Sequence, residues 1–195
     1  TISVLHQNVR GLTNKIERLN HFLRTLQPTI IILTEHGLSP ETLLLTKVNG
    51  YKLITDFCRE QHKLGGVAIY IDETADVCVE MLDIKNHSIE LLCEAAMVKI
   101  GTKQCSFHLL GLYRPPGGNT KQAIEVMSAI LSTFRADARQ IIVMGDVNFN
   151  RLTANQDNDL FEEELSTFGI KRLPLPATRT TSTSATSIDC ICTNV

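Results

Sequence analysis

Ile141-Ile142-Val143-Met144-Gly145-Asp146-Val147-Asn148 is the stretch on which the fold turns. Four apolar residues in a row, three of them β-branched, read as a strand covered on both faces. The run stops at Gly145-Asp146, so a carboxylate and then an amide stand just past the strand's end. Upstream the arrangement recurs. Ile30-Ile31-Ile32-Leu33 is a second buried run, and Glu35 follows it. Ile2-Ser3-Val4-Leu5-His6-Gln7-Asn8 alternates like a strand and ends on an amide, and a strand over 105–113 ends at Tyr113-Arg114. Ligand sites in α/β proteins gather outside strand ends. Asn8, Glu35, Tyr113, Asp146 and Asn148 would together make an oxygen-rich pocket suited to a hard cation such as Mg²⁺. Such a cation can bridge phosphate oxygens and help activate water.

Outward from these strands the pattern alternates. Asn14-x-x-Glu17 has the form of a capping box, and Ile16, Leu19, Leu23 and Leu26 follow at helical spacing up to Pro28. Asn119-x-x-Gln122 opens a second helix with Ala123, Met127, Ile130, Leu131 and Phe134 on one face, and a third turns Phe161, Leu165 and Phe168 inward. Gly65-Gly66 leads into a strand over 67–71, and segments at 77–82, 89–100 and 105–113 read as a meander. The Thr- and Ser-rich stretch Ala177–Ser187 reads as an exposed loop before a last strand, Ile188–Thr193. No repeat or linker interrupts the chain. The order predicts a single α/β domain over 1–195 with two sheets.

Composition narrows the class without naming a function. At 195 residues the chain fits one domain, and 43% hydrophobic with 21% charged residues argue against disorder. No apolar run approaches the ~20 residues that span a bilayer, so no membrane partner is expected. A net charge of −2 neither demands nor forbids nucleic acid. The six cysteines (58, 78, 93, 105, 190, 192) contain no C-x-x-C pair. Cys190 and Cys192 in a strand would point to one face, a poor start for a tetrahedral zinc site. Buried free thiols in a reducing compartment are the expectation. The chain opens without Met or a secretory signal, as an excised piece of something longer would.

Taken singly, each polar cluster reads as well as a turn, a loop residue or a packed tyrosine. Their joint order carries more. Gln7-Asn8-Val9-Arg10-Gly11-Leu12, Leu33-Thr34-Glu35, Gly65-Gly66-Val67, Leu112-Tyr113-Arg114-Pro115-Pro116-Gly117, Gly145-Asp146-Val147-Asn148, Ala177-Thr178-Arg179 and Ser187-Ile188-Asp189 follow one another from the first strand to the last. This succession resembles the motifs of endonuclease/exonuclease/phosphatase domains. The Asn-Val-Arg-Gly-Leu opening, Tyr-Arg-Pro-Pro-Gly and the Thr/Ser tract before Ile-Asp resemble the apurinic-like endonucleases of non-LTR retrotransposons.

The resemblance implies a DNase I-like four-layer sandwich, two packed mixed β-sheets flanked by helices. It implies a Mg²⁺-dependent endonuclease, Mn²⁺ substituting, that nicks double-stranded DNA in the nucleus for a reverse transcriptase domain of the same polypeptide. Glu35 would be the main metal ligand with Asn8 beside it. Tyr113 would bond a phosphate oxygen, Asp146 would orient or activate the attacking water, and Asn148 would hold the scissile phosphate. Thr178 would line the DNA groove, Arg114, Arg151 and Arg179 would contact DNA, and Asp189 would orient a catalytic histidine.

That histidine is the departure from the pattern. Members of the family close with Ser-Asp-His beyond the Ile-Asp strand, whereas this chain ends at Val195. None of its histidines (6, 21, 36, 62, 87, 108) lies in such a motif, although His36 follows Glu35 directly. The expectation is a domain lacking its last strands, with a bared sheet edge and activity impaired by the ~10²–10⁴-fold that general acid–base help supplies. Cys190 also stands where the family often has histidine. Rival readings are another phosphoesterase of this fold, such as an abasic-site nuclease or phosphomonoesterase, and a catalytically dead or domesticated copy that only binds nucleic acid. A zinc or redox protein built on the cysteines is a further, poorer fit.

Overall fold

The computed structural model describes residues 1–195. The first sheet is built from β1 (Val4–Asn8), β2 (Ile30–Thr34), β3 (Tyr51–Phe57) and β4 (Val67–Asp72), in the order β1-β2-β4-β3. Two helices belong to it, α1 (Ile16–Leu26) and α2 (Pro40–Leu45). The second sheet contains β5 (Cys78–Leu82), β6 (Glu94–Gly101), β7 (Ser106–Tyr113), β8 (Ile141–Asp146), β9 (Lys171–Arg172) and, after a hairpin of β10 (Arg179–Thr180) and β11 (Ala185–Thr186), β12 (Asp189–Thr193). Its order is β5-β6-β7-β8-β12-β9, with α3 (Thr120–Thr133) between β7 and β8 and α4 (Gln156–Thr167) between β8 and β9.

Alternation along the buried strands produces the layers. In β2, Ile31 and Leu33 face α1 and α2, packing with Leu19, Leu23 and Leu43. Ile30 and Ile32 point the other way and meet Val98, Leu109 and Met144 of the second sheet. That sheet turns Met97, Leu110, Leu112 and Val143 outward onto Met127 and Ile130 of α3 and Phe161 and Leu165 of α4. The result is helix, sheet, sheet, helix, with both sheets mixed.

Several local expectations need correction. Asn14 does not cap α1; Lys15 holds that position without a side-chain bond, and Leu26 is exposed. Asn119 does cap α3, its side chain accepting from the Gln122 amide. The sequence pattern marks neither α2 nor β3. Ser39 caps α2 and Pro40 supplies its first residue, but six residues are too few to show a helical period. Residues 89–93 form a turn rather than the start of a strand, because β6 begins at Glu94. The tract 177–187 closes into the β10–β11 hairpin, with Thr181 Oγ accepting from the Ser184 amide. All six cysteines are free, but only Cys93, Cys190 and Cys192 are buried; Cys78 and Cys105 are exposed.

Pairing fixes where the polar strand ends lie. β1 runs parallel to β2 with Asn8 beside Thr34, and β7 runs parallel to β8 with Tyr113 beside Asp146. β12 runs antiparallel to β8, so its first residue, Asp189, sits beside the last residue of β8, Asp146. One rim of the sandwich therefore collects all of them.

Candidate active site

At that rim Asn8 joins the two sheets. Its Nδ2 donates to Glu35 Oε1 at 2.6 Å and to Asp146 Oδ2 at 2.8 Å. Glu35 sits just past β2 with φ of 55°, a left-handed conformation that costs a residue with a Cβ. Two backbone bonds hold it there: its amide donates to the Gly66 carbonyl at 2.9 Å, and its carbonyl accepts from the Gly11 amide at 2.7 Å. Asn148 is likewise left-handed; its amide donates to Asp146 Oδ1 and its Nδ2 to the Arg114 carbonyl. Tyr113 lies buried beside Glu35. Burial, then that carboxylate, raises its pKa well above the ordinary range, so the hydroxyl stays a proton donor.

The carboxylates are crowded. Burial, followed by the nearby Asp189 and Glu35 charges, pushes Asp146 up to about 6 despite hydrogen bonds from Asn8 and Asn148. Neither Asp146 nor Glu35 forms an ion pair with any Lys or Arg. No three His, Cys, Asp or Glu side chains converge into a closed cage. Two carboxylates with excess negative charge suit a hard divalent cation, which keeps several of its waters and uses few protein ligands, whereas Asn8 turns its NH₂ toward them and its Oδ1 toward the Arg10 amide.

Asp189 has an unforeseen partner. His6 Nδ1 lies 3.4 Å from Asp189 Oδ1, and His6 Nε2 lies 3.0 Å from Thr34 Oγ1. Desolvation outweighs the attraction of Asp189 and lowers His6 to about 4, so the ring is neutral. Nδ1–H toward Asp189 and a Thr34 hydroxyl donating to Nε2 satisfy both ring nitrogens at once. His36, despite following Glu35, turns away: it is fully buried, with Nε2 on the Phe57 carbonyl and Nδ1 accepting from the Leu38 amide.

A cleft of about 1040 Å³ opens from this rim along β1 and β12, lined by Asn8, Asp146, Asp189, Thr178 and Arg179. Thr178 Oγ1 accepts from the Ile188 and Asp189 amides, tying the hairpin to the start of β12. Two other expected contacts are corrected. Arg114 is buried, donating to the Gly118 carbonyl and Thr120 Oγ1 with its guanidinium 4.3 Å from the Phe149 ring centroid, so it braces the loop after β7. Arg151 pairs with Glu162 at 3.0 Å and does not line the cleft.

Three further groups leave little mark in the local sequence pattern. Arg10 and Arg18 line the cleft, but an arginine in a loop or on a polar helix face carries no mark of its own. Arg59 Nε donates to the buried Glu94 Oε1 at 2.6 Å, and Glu94 Oε2 accepts from the amide of Gly66, whose carbonyl holds Glu35. Arg172, also buried, donates to the carbonyls of Phe149 and Asp189 and to Asn158 Oδ1, joining the loop after β8 to β12. A charged residue inside an apolar pattern was the available signal for Glu94.

No family model matches the chain, and no curated protein matches it in sequence. Solved structures are similar to it in fold. The endonuclease domain of TRAS1, a telomere-specific non-LTR retrotransposon, superposes with a TM-score of 0.74 at 15% identity, covering 98% of this chain and 84% of that one. An AP endonuclease from Archaeoglobus fulgidus superposes at 0.66 and 13% identity, covering 100% and 87%. D. rerio TDP2 complexed with single-strand DNA product superposes at 0.62 and 13% identity, covering 98% and 83%. At these identities the likeness establishes architecture: the chain has the DNase I-like fold of endonuclease/exonuclease/phosphatase proteins, the sandwich that its motifs implied.

Proposed function

We propose that this chain is a DNA endonuclease domain of a non-LTR retrotransposon. It would nick double-stranded target DNA in the nucleus and leave a 3′-hydroxyl for a reverse transcriptase domain of the same polypeptide. The observation that carries the reading is Asn8 bonded at once to Glu35 and Asp146, at the mouth of a cleft that also presents Arg10, Arg18 and Arg179. Carboxylates for a cation and arginines for phosphate lie on one continuous surface.

Glu35, with Asn8 beside it, would hold Mg²⁺, or Mn²⁺ in its place, whose chemistry is to stabilise charge on the phosphate and leaving oxygens. Asp146, buried at the head of the cleft, would orient the attacking water and accept its proton. The Tyr113 hydroxyl donates to a non-bridging phosphate oxygen. Asn148, its amide fixed by the Arg114 carbonyl, orients the scissile phosphate. Thr178 and Arg179 guide the strand along the cleft.

One observation favours a second reading, a module that binds DNA without cutting it. The imidazole beside Asp189 is His6, and Thr34 already engages its other nitrogen, so it has none left to protonate a leaving oxygen. Incubation of supercoiled plasmid with the protein and Mg²⁺ separates the readings. Open circles whose ends a polymerase extends, absent with Glu35→Ala, support the nuclease. Retarded but intact plasmid supports the binding module. Neither binding nor nicking, with turnover of small phosphate esters instead, would sink both in favour of another phosphoesterase.

A further inference from the structure

A second recess, of about 310 Å³, adjoins the main cleft and shares Gln7, Asn8, Arg10 and Arg18 with it. Its outer wall is one face of α1. Lys15, Arg18, Leu19 and Phe22 recur at i, i+3, i+4 and i+7, so their side chains lie on the same side of the helix. Leu19 is buried as the floor, whereas Phe22 is 42% exposed, a large aromatic surface with no aromatic or cationic partner. The cations differ in availability. Lys15 Nζ is committed to the Val9 and Arg10 carbonyls at 2.6 and 2.8 Å. Arg10 and Arg18 make no ion pair.

The loop that carries Arg10 is held rigidly. Arg10 has φ of 44°, its amide donates to Asn8 Oδ1 at 3.1 Å, and its carbonyl accepts from Lys15. A backbone locked in the left-handed region by bonds on both sides, with a free guanidinium projecting from it, is pre-organised for an anion. An arginine pair beside an open aromatic face matches one kind of ligand: a phosphate with a planar base attached. In a duplex both faces of a base are covered by its neighbours, so only an unstacked nucleotide can use Phe22.

We infer that this recess is a nucleotide subsite. One phosphate sits between Arg10 and Arg18, and the adjoining base, swung out of its stack, lies on Phe22. The site deepens the DNA-nicking reading and rests on it. It gives the domain a preference for DNA with an unpaired or frayed nucleotide next to the bond being cut, set by α1 and independent of the β10–β11 hairpin.

The test uses fluorescence anisotropy with two labelled oligonucleotides, a fully paired duplex and the same duplex with a short unpaired tract containing 2-aminopurine. Phe22 is partly exposed, so Phe22→Ala keeps the fold, checked by an unchanged melting temperature. The expected result is about a five- to hundredfold loss of affinity for the unpaired probe, little change for the paired one, and loss of 2-aminopurine quenching. Phe22→Trp restores both. Equal affinity of Phe22→Ala and wild type for the unpaired probe overturns the subsite, as does an equal loss for both probes. Arg179→Ala, in the main cleft, keeps the two ideas apart. If it weakens duplex binding while Phe22→Ala changes nothing, the subsite fails and the nuclease reading stands. If the wild type binds neither probe, both fail.

Discussion

Asp189 opens β12 directly opposite Asp146 at the end of β8, so two carboxyl groups are register partners across neighbouring strands. Like charges on paired strands are destabilising, and here they are drawn together at a buried position with Glu35 close by. A fold that tolerates this arrangement has its negative charge concentrated at one point of the rim.

The first consequence is a pH dependence of stability. Asp146 ionises at 3.8 in an unperturbed carboxyl and at about 6 in the folded chain. A raised folded-state pKa means that the protonated form favours folding. That contribution is full below about pH 4 and is lost as pH rises through about 6. Without divalent cation, Asp146→Asn should therefore melt above wild type at pH 8, by on the order of 2–3 kcal/mol, and the gap should close near pH 4. Adding Mg²⁺ at pH 8 should raise the melting temperature of wild type more than that of the variant. A gap that is the same at both pH values would show that Asp146 is not the titrating group.

The second concerns the support behind Glu35. Glu94 is fully buried, pairs with Arg59, and accepts from the Gly66 amide. Glu94→Ala strands a buried guanidinium and an amide together, which should cost about 3–5 kcal/mol in urea denaturation. Mg²⁺ affinity should fall as well, because Gly66 carries the carbonyl that pins Glu35. A loss below about 1 kcal/mol, as for a surface pair, would contradict this.

A third prediction tests how closely β7 and β8 approach beneath the site. A Cβ on Gly145 would lie 1.8 Å from the Leu112 carbonyl oxygen, a backbone atom that cannot rotate away. Gly145→Ala should destabilise by at least about 3 kcal/mol, the upper end of overpacking costs, and displace Asp146. Wild-type stability and Mg²⁺ binding in this variant would mean that the strands are spaced more widely.

The sequence alone determined the long helices, the buried strands, the two-sheet architecture and the residues of the rim. The reason is that buried runs such as Ile30–Leu33 and Ile141–Met144 can be satisfied only between two layers, and the polar residue that ends such a run must lie at its mouth. It did not reveal short elements such as α2, whose six residues are set by a cap and a proline rather than by a period. Nor could it separate one arginine from another: Arg114 and Arg179 look alike along the chain, yet one is stacked under a phenylalanine and the other lines the cleft. Only tertiary structure decided which imidazole meets Asp189, since His6 and Asp189 are far apart in sequence and adjacent only because β1 packs against the β8–β12 end of the second sheet. Pairwise polar contacts between distant segments depend on sheet register and on how the layers face each other, and neither leaves a trace in local pattern.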